Sequence, residues 1–326
     1  MEIEPLRPED FCGPVAVITG GWSRERDRSL LSGATVTESL ADMGIKTRHL
    51  DLAEARETLV ENLADIDVAF LAIAGRGAED GRLQGLLETL GIDYTGSGVL
   101  ASAIGMHKLH AKAVVSVAGV KVPTGLPVDV TVRVADEAER LYRTLGLPLI
   151  VKPVNEGGSI GLRVAQSTEE LATNLLECDG SDAMVEVFHP GRPVSVGVLE
   201  EPGGTLHVLP LLEAETADGI YSYEAKRSDS EQVCTYHCPA RVEPTTAHAL
   251  RRQALIAHRA LHCHSYSRHD FVVTARGEGV WLEVNTLPGL SRTGNLARMA
   301  KAGGLTYEQL LAHILAGART DRRAKS

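Results

Sequence analysis

Between Val15 and Leu90 the sequence alternates short apolar runs, glycine-bearing loops and segments of helical period. Val15–Thr19 reads as a buried strand ending in Gly20-Gly21, after which Leu30, Ala34, Thr37 and Leu40-Ala41 share one helix face. Asp67–Ile73 starts the pattern again. It leads into the loop Gly75-Arg76-Gly77-Ala78-Glu79-Asp80-Gly81, then Leu83, Leu86, Leu87 and Leu90 at helical spacing. Strands alternating with helices build a parallel sheet covered on both faces. Ligands of such sheets gather at the carboxyl ends of the strands, where both glycine loops lie. The expected fold class is therefore α/β, opening with a parallel-sheet domain.

A chain of 326 residues is long enough for two or three packed lobes. A second lobe is expected to begin near Lys108, with a helix over Leu109–Ala118 stopping at Gly119 and another over Asp136–Leu145 stopping at Gly146. Leu147–Pro153 reads as a strand, Ser167 with Glu170 as a capping box, and Ala183–Phe188 and Val194–Leu199 as further strands. From about Gly203 a third lobe follows. It holds a loop around Tyr221–Gln232, a helix near Thr246–Leu261 and a hairpin from Tyr266 to Asn285. The expected domains are thus 1–107, 108–202 and 203–326.

A formal charge of −10 argues against nucleic-acid binding, which needs a concentrated basic face. No apolar run approaches the ~20 residues that cross a bilayer, and the acidic N-terminus carries no secretory signal. Cys12, Cys178, Cys234, Cys238 and Cys263 are odd in number and scattered, which points to reduced thiols in the cytoplasm. His237 and His264 could be drawn with them as a zinc site. The paired spacing of a structural zinc module is missing, so packing cysteines are the better reading.

The hairpin carries the strongest local chemistry. Side chains two apart on a strand share a face, so Arg268 with Asp270, and Glu283 with Asn285, form same-face pairs. The turn Thr274–Gly279 can bring those faces together, with Phe271, Val273, Leu282 and Val284 directed to a core. Two carboxylates and an amide oxygen suit a magnesium ion whose shell is completed by phosphate oxygens. The other reading is a set of solvated charges on a sheet face. Lys152-Pro153 leads into Asn155-Glu156-Gly157-Gly158-Ser159-Ile160-Gly161, where glycine amides can approach phosphates; an ordinary flexible turn has equal standing. Lys108 is a second phosphate contact or a solvated surface lysine. Glu25, after the first strand, pairs with a substrate ammonium or favours a helix N-terminus.

Together these segments resemble the D-alanine–D-alanine ligase family across nearly the whole chain. The resemblance rests on GGWSRERDRSLLSG, GRGAEDGRLQGLLETLGIDYTGSGVLASAIGMHK, LGLPLIVKPVNEGGSIG, YSYEAK, SRHDF and LEVNTLPGL, in that order. It implies a three-lobed ATP-grasp fold with a Rossmann-like first domain and ATP held between the other two. By resemblance, Lys108 and Lys152 contact ATP phosphates, Glu186 meets the adenine amino group with Phe188 beside it, and the loop Glu156, Gly157, Gly158, Ser159, Gly161 closes over the phosphates. Asp270, Glu283 and Asn285 hold magnesium (or manganese), Glu25 binds the ammonium of the first amino acid, and Lys226 reaches the transferred phosphate from a lid. Arg268 and the Gly289 amide stabilise the oxyanion. The implied partners are amino-acid-like small molecules and a second copy of the chain in a homodimer.

Departures from the family pattern gather at the substrate end. Gly158 stands for a serine, Arg227 for a tyrosine, Ala74 for a histidine, Pro193 for a ribose-binding glutamate, and Arg292-Thr293-Gly294 for a serine–histidine–serine segment. Losing a buried hydrogen-bonding partner costs ~1–3 kcal/mol, so several such losses would not be silent. Arg227 and Arg292, with Gly294 beside them, either hold a different carboxylate or phosphate or are exposed loop charges. The expectation is an ATP-dependent ligase forming an amide bond through an acyl phosphate, acting on a non-standard substrate pair. Cyclisation, a D-alanine ligase of cell-wall synthesis and a non-catalytic nucleotide binder are the competing readings.

Overall fold

The computed structural model describes residues 6–178, 182–216, 219 and 233–318. Strand β1 (Val15–Thr19) occupies the first apolar run and is buried throughout. Helix α1 (Arg26–Asp42), β2 (Thr47–Asp51), α2 (Leu59–Asn62), β3 (Val68–Leu71), α3 (Arg82–Leu90) and β4 (Asp93–Tyr94) follow. The strands pair in parallel in the order β2-β1-β3-β4, so the chain winds outward from β1 in both directions. The loops leaving β1 and β3 therefore meet at one end of the sheet, the position expected for a ligand. Ser23 Oγ donates to the Ala74 carbonyl at 2.9 Å and ties them together. Gly20 and Gly75 adopt φ of +73° and +87°, which lets each loop turn sharply off its strand.

Helices α4 (Val99–Met106) and α5 (Lys108–Val117) come next. The central sheet is antiparallel. It runs through β5 (Gly125–Pro127), α6 (Val134–Leu145), β6 (Leu149–Pro153), β7 (Arg163–Ala165), α7 (Thr168–Leu176) and β8 (Ala183–Val187), with strand order β5-β8-β6-β7. Its core joins Leu141 and Leu171 of the helices to Leu149 and Val185 of the strands. Ser167 Oγ accepts from the Glu170 amide at 3.1 Å and opens α7. The Glu170 carboxylate reaches back to the Gln166 amide instead of Ser167.

The third sheet contains β9 (Gly191–Glu200), β10 (Leu206–Val208), β11 (Leu212–Thr216), β12 (Cys234–His237), β13 (Tyr266–Thr274) and β14 (Gly279–Asn285). Its order is β12-β11-β9-β13-β14, with β10 also on β9. Helix α8 (Pro244–Ala260) covers one face, and α9 (Asn295–Ala302) and α10 (Tyr307–Ala316) close the described chain. Two sequence-expected limits cut across these units. Strand β9 pairs with β13 along its whole length, and Ala111 and Val115 of α5 share a core with Trp281 and Val284. Residues 108–117 and 191–200 are thus packed with the third sheet, and the central sheet with its own core spans β5 to β8. A continuous core joins the parallel sheet to Leu287, Leu290, Leu296 and Leu310, fastening the first lobe to the last. Among the described residues no helix is long and apolar enough to cross a membrane.

Candidate active site

The site is organised by the β13–β14 hairpin. Gly277, at φ +76°, closes its turn, and the register sets Arg268 opposite Asn285 and Asp270 opposite Glu283. A bulge between Asp270 and Phe271 then puts Phe271 opposite Trp281, leaving Leu282 as the extra residue. The bulge corrects one expectation: Phe271, Val273 and Val284 enter the core, whereas Leu282 faces a cleft beside Glu283. Asp270 is heavily engaged. Arg268 donates to it through Nε and Nη2 at 2.9 Å each, Ser195 Oγ at 2.7 Å and Asn285 Nδ2 at 3.1 Å. Asp270 and Glu283 face each other across the strands, and Asn285 turns its amide nitrogen toward Asp270. Two carboxylates and an amide fall short of a full divalent shell, which fits a cation that also takes oxygens from a phosphorylated ligand.

On one side of the hairpin a cleft of about 110 Å³ separates it from the central sheet. Lys108, Lys152, Glu156, Ser159, Glu186, Phe188 and Pro193 line it opposite Asp270, Leu282 and Glu283. Lys108 is buried, donates to the Glu156 carbonyl, and lies 3.6 Å from Glu283. Burial pushes its ammonium below the ordinary lysine range, partly offset by Glu283. Lys152 donates to Glu186. Burial would raise the Glu186 carboxyl, but Lys112 and Lys152 outweigh it and hold the group below its usual value. Lys112 lies one helical turn beyond Lys108 and was not singled out in the sequence, although i,i+4 spacing puts both on one face. It lies 3.2 Å from Glu186 and donates to the Leu282 carbonyl at 2.7 Å, and burial lowers it to about 8. Gly158 and Ser159 both take φ of +62°, folding the loop after β6 back toward the hairpin.

Further along the same face lies a cavity of about 450 Å³, lined by Glu25, Arg28, Glu79, Gly158, Arg268, Asn285, Gly289, Gly294 and Arg298 among others. Glu25 is buried at the start of α1, with Arg28 Nη1 3.3 Å from its Oε1. Its other oxygen abuts Gly157: a Cβ built on that glycine would fall 2.3 Å from Glu25 Oε2. The phosphate-loop candidate and the first-lobe glutamate therefore touch, through a residue that must lack a side chain. Glu79 is buried nearby and accepts from the Gly75 amide at 2.6 Å. Burial, reinforced by Glu25, raises its carboxyl to about 8. Gly289 passes beside Arg28, and Leu290 N donates to Ser32 Oγ at 3.3 Å, seating the segment after β14 on α1.

Arg292 corrects a second expectation. It is held by Glu308 at 2.8 Å and by Ser39 Oγ at 2.8 Å, with its guanidinium 4.7 Å from the Tyr307 ring centre, and it does not line the cavity. Gly294 is the N-cap of α9 at the cavity wall. Lys226 and Arg227 lie outside the described residues. Sequence reasoning missed Arg28, Glu79 and Lys112 as site residues. Glu79 sat in a glycine loop already suspected of ligand contact, whereas nothing in the pattern of α1 set Arg28 apart from Arg24 or Arg26.

The geometry agrees with comparisons to known proteins. Residues 114–316 match the family model described as D-ala D-ala ligase C-terminus, and residues 44–97 match D-ala D-ala ligase N-terminus. A D-alanine–D-alanine ligase from Trichlorobacter lovleyi is 40% identical over 308 residues, covering 93% of this chain and 94% of the relative. One from Alcanivorax borkumensis is 40% identical over 306 residues, covering 93% of each. The crystal structure of D-alanine–D-alanine ligase from Bacillus anthracis complexed with ATP superposes with a TM-score of 0.79 at 28% identity, covering 94% of this chain and 97% of that one. The VanG D-Ala:D-Ser ligase from Enterococcus faecalis gives 0.77 at 26%, covering 93% and 98%. With three sheets in the matching architecture and the site at their junction, the chain belongs to the D-alanine–D-alanine ligase family and is an ATP-grasp ligase that forms carbon–nitrogen bonds.

Proposed function

We propose that this chain joins the carboxylate of one amino-acid-like substrate to the amine of another through an acyl phosphate, spending one ATP. The observation that carries the reading is the division of labour along one hairpin. Asp270 and Glu283 face the cleft with Lys108 and Lys152, while Arg268 and Asn285 line the larger cavity with Glu25 and Gly289. A phosphoryl donor in one and a carboxylate in the other would therefore meet along one face of a single strand pair. In this reading ATP lies in the smaller cleft, with Glu186 and Phe188 at the base and the loop Glu156–Gly161 over the phosphates. Asp270, Glu283 and Asn285 would hold a magnesium or manganese ion, which supplies charge to offset that of the transferring phosphoryl group. Lys108 and Lys152 add two more positive charges in a buried setting where they count for most.

The acyl substrate's carboxylate oxygen attacks the γ-phosphorus and ADP leaves. The amine of the second substrate then attacks the carbonyl carbon, and inorganic phosphate departs with the former carboxylate oxygen. Arg268 and the Gly289 amide stabilise the oxyanion formed in that attack. Glu25 holds the ammonium of the first substrate, and Gly294 at the α9 N-terminus faces the second. Lys226 would reach the transferred phosphate, and Arg227 a substrate. We place the reaction in the cytoplasm, in keeping with the odd number and scatter of the five cysteines, and in a homodimer.

A non-standard substrate pair is favoured by Gly158, which brings no hydroxyl to the cavity, and by the charged Arg28 in its wall. The second reading, D-alanine at both positions, is favoured by the names of the relatives. Turnover of a carboxylate labelled with heavy oxygen tests the chemistry common to both. Transfer of one label to inorganic phosphate is expected, and label kept entirely in the amide product and water would refute the acyl phosphate.

A further inference from the structure

The arginines of α1 and of the larger cavity differ in how they are held. Arg26 is clamped by Asp51 through two hydrogen bonds of 2.8 and 2.6 Å, and Arg268 by Asp270 in the same two-pronged way. Arg298 lies over the Tyr236 ring and donates through Nε to the Thr293 carbonyl. Arg28 is different. Among the described residues its polar contact is one 3.3 Å approach from Nη1 to Glu25, and its side chain keeps 38% of its surface exposed. It projects from the first turn of α1 into the cavity wall. Nη2 lies beside the backbone at Gly289, where an added Cβ would come within 3.5 Å of it.

Arg28 thus stands between the two groups that the proposed function assigns to the acyl substrate, Glu25 for its ammonium and Gly289 with Arg268 for its reacting carboxylate. A substrate stretched between them presents its side chain to Arg28. A methyl side chain would displace water from the guanidinium and offer it no hydrogen bond in return, leaving the long contact with Glu25. A carboxylate there would meet a planar fork of donors with matching geometry. Among the described residues Glu25 does not saturate Arg28, because one long contact engages only one of its donors.

Resting on the ligase reading above, we propose that the acyl substrate is a dicarboxylic amino acid of the aspartate or glutamate type, and that Arg28 is the residue that selects it by pairing with its second carboxylate. Hydroxylamine intercepts an activated carboxylate as a hydroxamate, so it reports the acyl donor independently of the natural amine. The purified chain with Mg–ATP and hydroxylamine is assayed with both enantiomers of alanine, aspartate and glutamate, alongside Arg28→Gln and Arg28→Lys. The expected result is kcat/KM at least about 10-fold higher for a dicarboxylic donor than for alanine. That ratio should collapse in Arg28→Gln, mainly through KM, and be partly restored in Arg28→Lys. Matched thermal melts show that the variants fold. Alanine equal to or better than every dicarboxylic donor, or a ratio unchanged in Arg28→Gln, overturns the role of Arg28 and leaves ligation standing. No hydroxamate from any donor, with ATP still bound, overturns the ligase reading beneath it.

Discussion

Replacing Glu79 by Gln should make the protein more stable, and increasingly so as pH rises. The Glu79 carboxyl is raised from an ordinary 4.5 to about 8 by burial and by the neighbouring Glu25. Between those two values the folded chain holds a proton that the unfolded chain has released. Folding therefore takes up a proton, and stability falls as pH climbs through this window. The stabilising state is fully present below about 4.5 and lost on passing about 8. At ~1.4 kcal/mol per pH unit, the ceiling on the loss is about 5 kcal/mol. Glutamine keeps an oxygen to accept the Gly75 amide, the 2.6 Å bond that Glu79 makes, and removes the titration. At about 2 °C per kcal/mol for a chain of this length, Glu79→Gln should melt up to about 10 °C higher than wild type near pH 8.5. Near pH 5 the two should agree within about 2 °C. Thermal melts by circular dichroism across that range provide the assay. A constant offset between the two proteins at every pH would refute the assignment of a buried, proton-holding Glu79.

Three further perturbations separate the parts of the site. Asp270→Asn and Glu283→Gln should both abolish ADP release. Asp270→Asn should also cost on the order of 2–3 kcal/mol, because it strips the buried Arg268 of half its acceptor. Glu283→Gln removes the charge beside the buried Lys108, 3.6 Å away, but keeps an oxygen for it, and should cost on the order of 1–3 kcal/mol; unchanged melting in both variants would contradict the geometry. Gly157→Ala should lower kcat by at least about 10-fold without changing the melting temperature, since its Cβ would strike Glu25. That loss should shrink in a Glu25→Ala background, and an undiminished loss would mean the contact is irrelevant. Arg292→Ala should leave every substrate KM unchanged and lower stability by about 1 kcal/mol, from a surface ion pair and a ring contact. A raised substrate KM would return Arg292 to the site.

Much of this arrangement was legible in the sequence because local pattern determined it. The run Val15–Thr19 became β1 with those limits, and two-residue spacing was enough to bring Arg268, Asp270, Glu283 and Asn285 onto facing strands. Periodicity says that a strand or helix exists, and leaves open which sheet receives it. Nothing in residues 191–200 announced that they would pair with β13 and not with β8. The bulge that turns Leu282 outward adds one residue to one strand, a change invisible to an alternating pattern. Arg28 and Glu79 become site residues only when the loops after β1 and β3 meet at the hairpin. The sequence leaves Arg292 open between a ligand contact and a loop charge, because Glu308 and Ser39, which hold it, are distant in sequence.

The central claim is that the two cavities flanking the hairpin act together in one ligation. ADP release from Mg–ATP by the purified chain, measured with amino acids singly and in pairs and with products identified by mass, tests it most directly. The account predicts release that requires a carboxylate substrate, accelerates with an amine partner, and yields a product whose mass is the sum of the two amino acids less one water. ADP release indifferent to any amino acid, or ATP binding with no release across the whole panel, would contradict it.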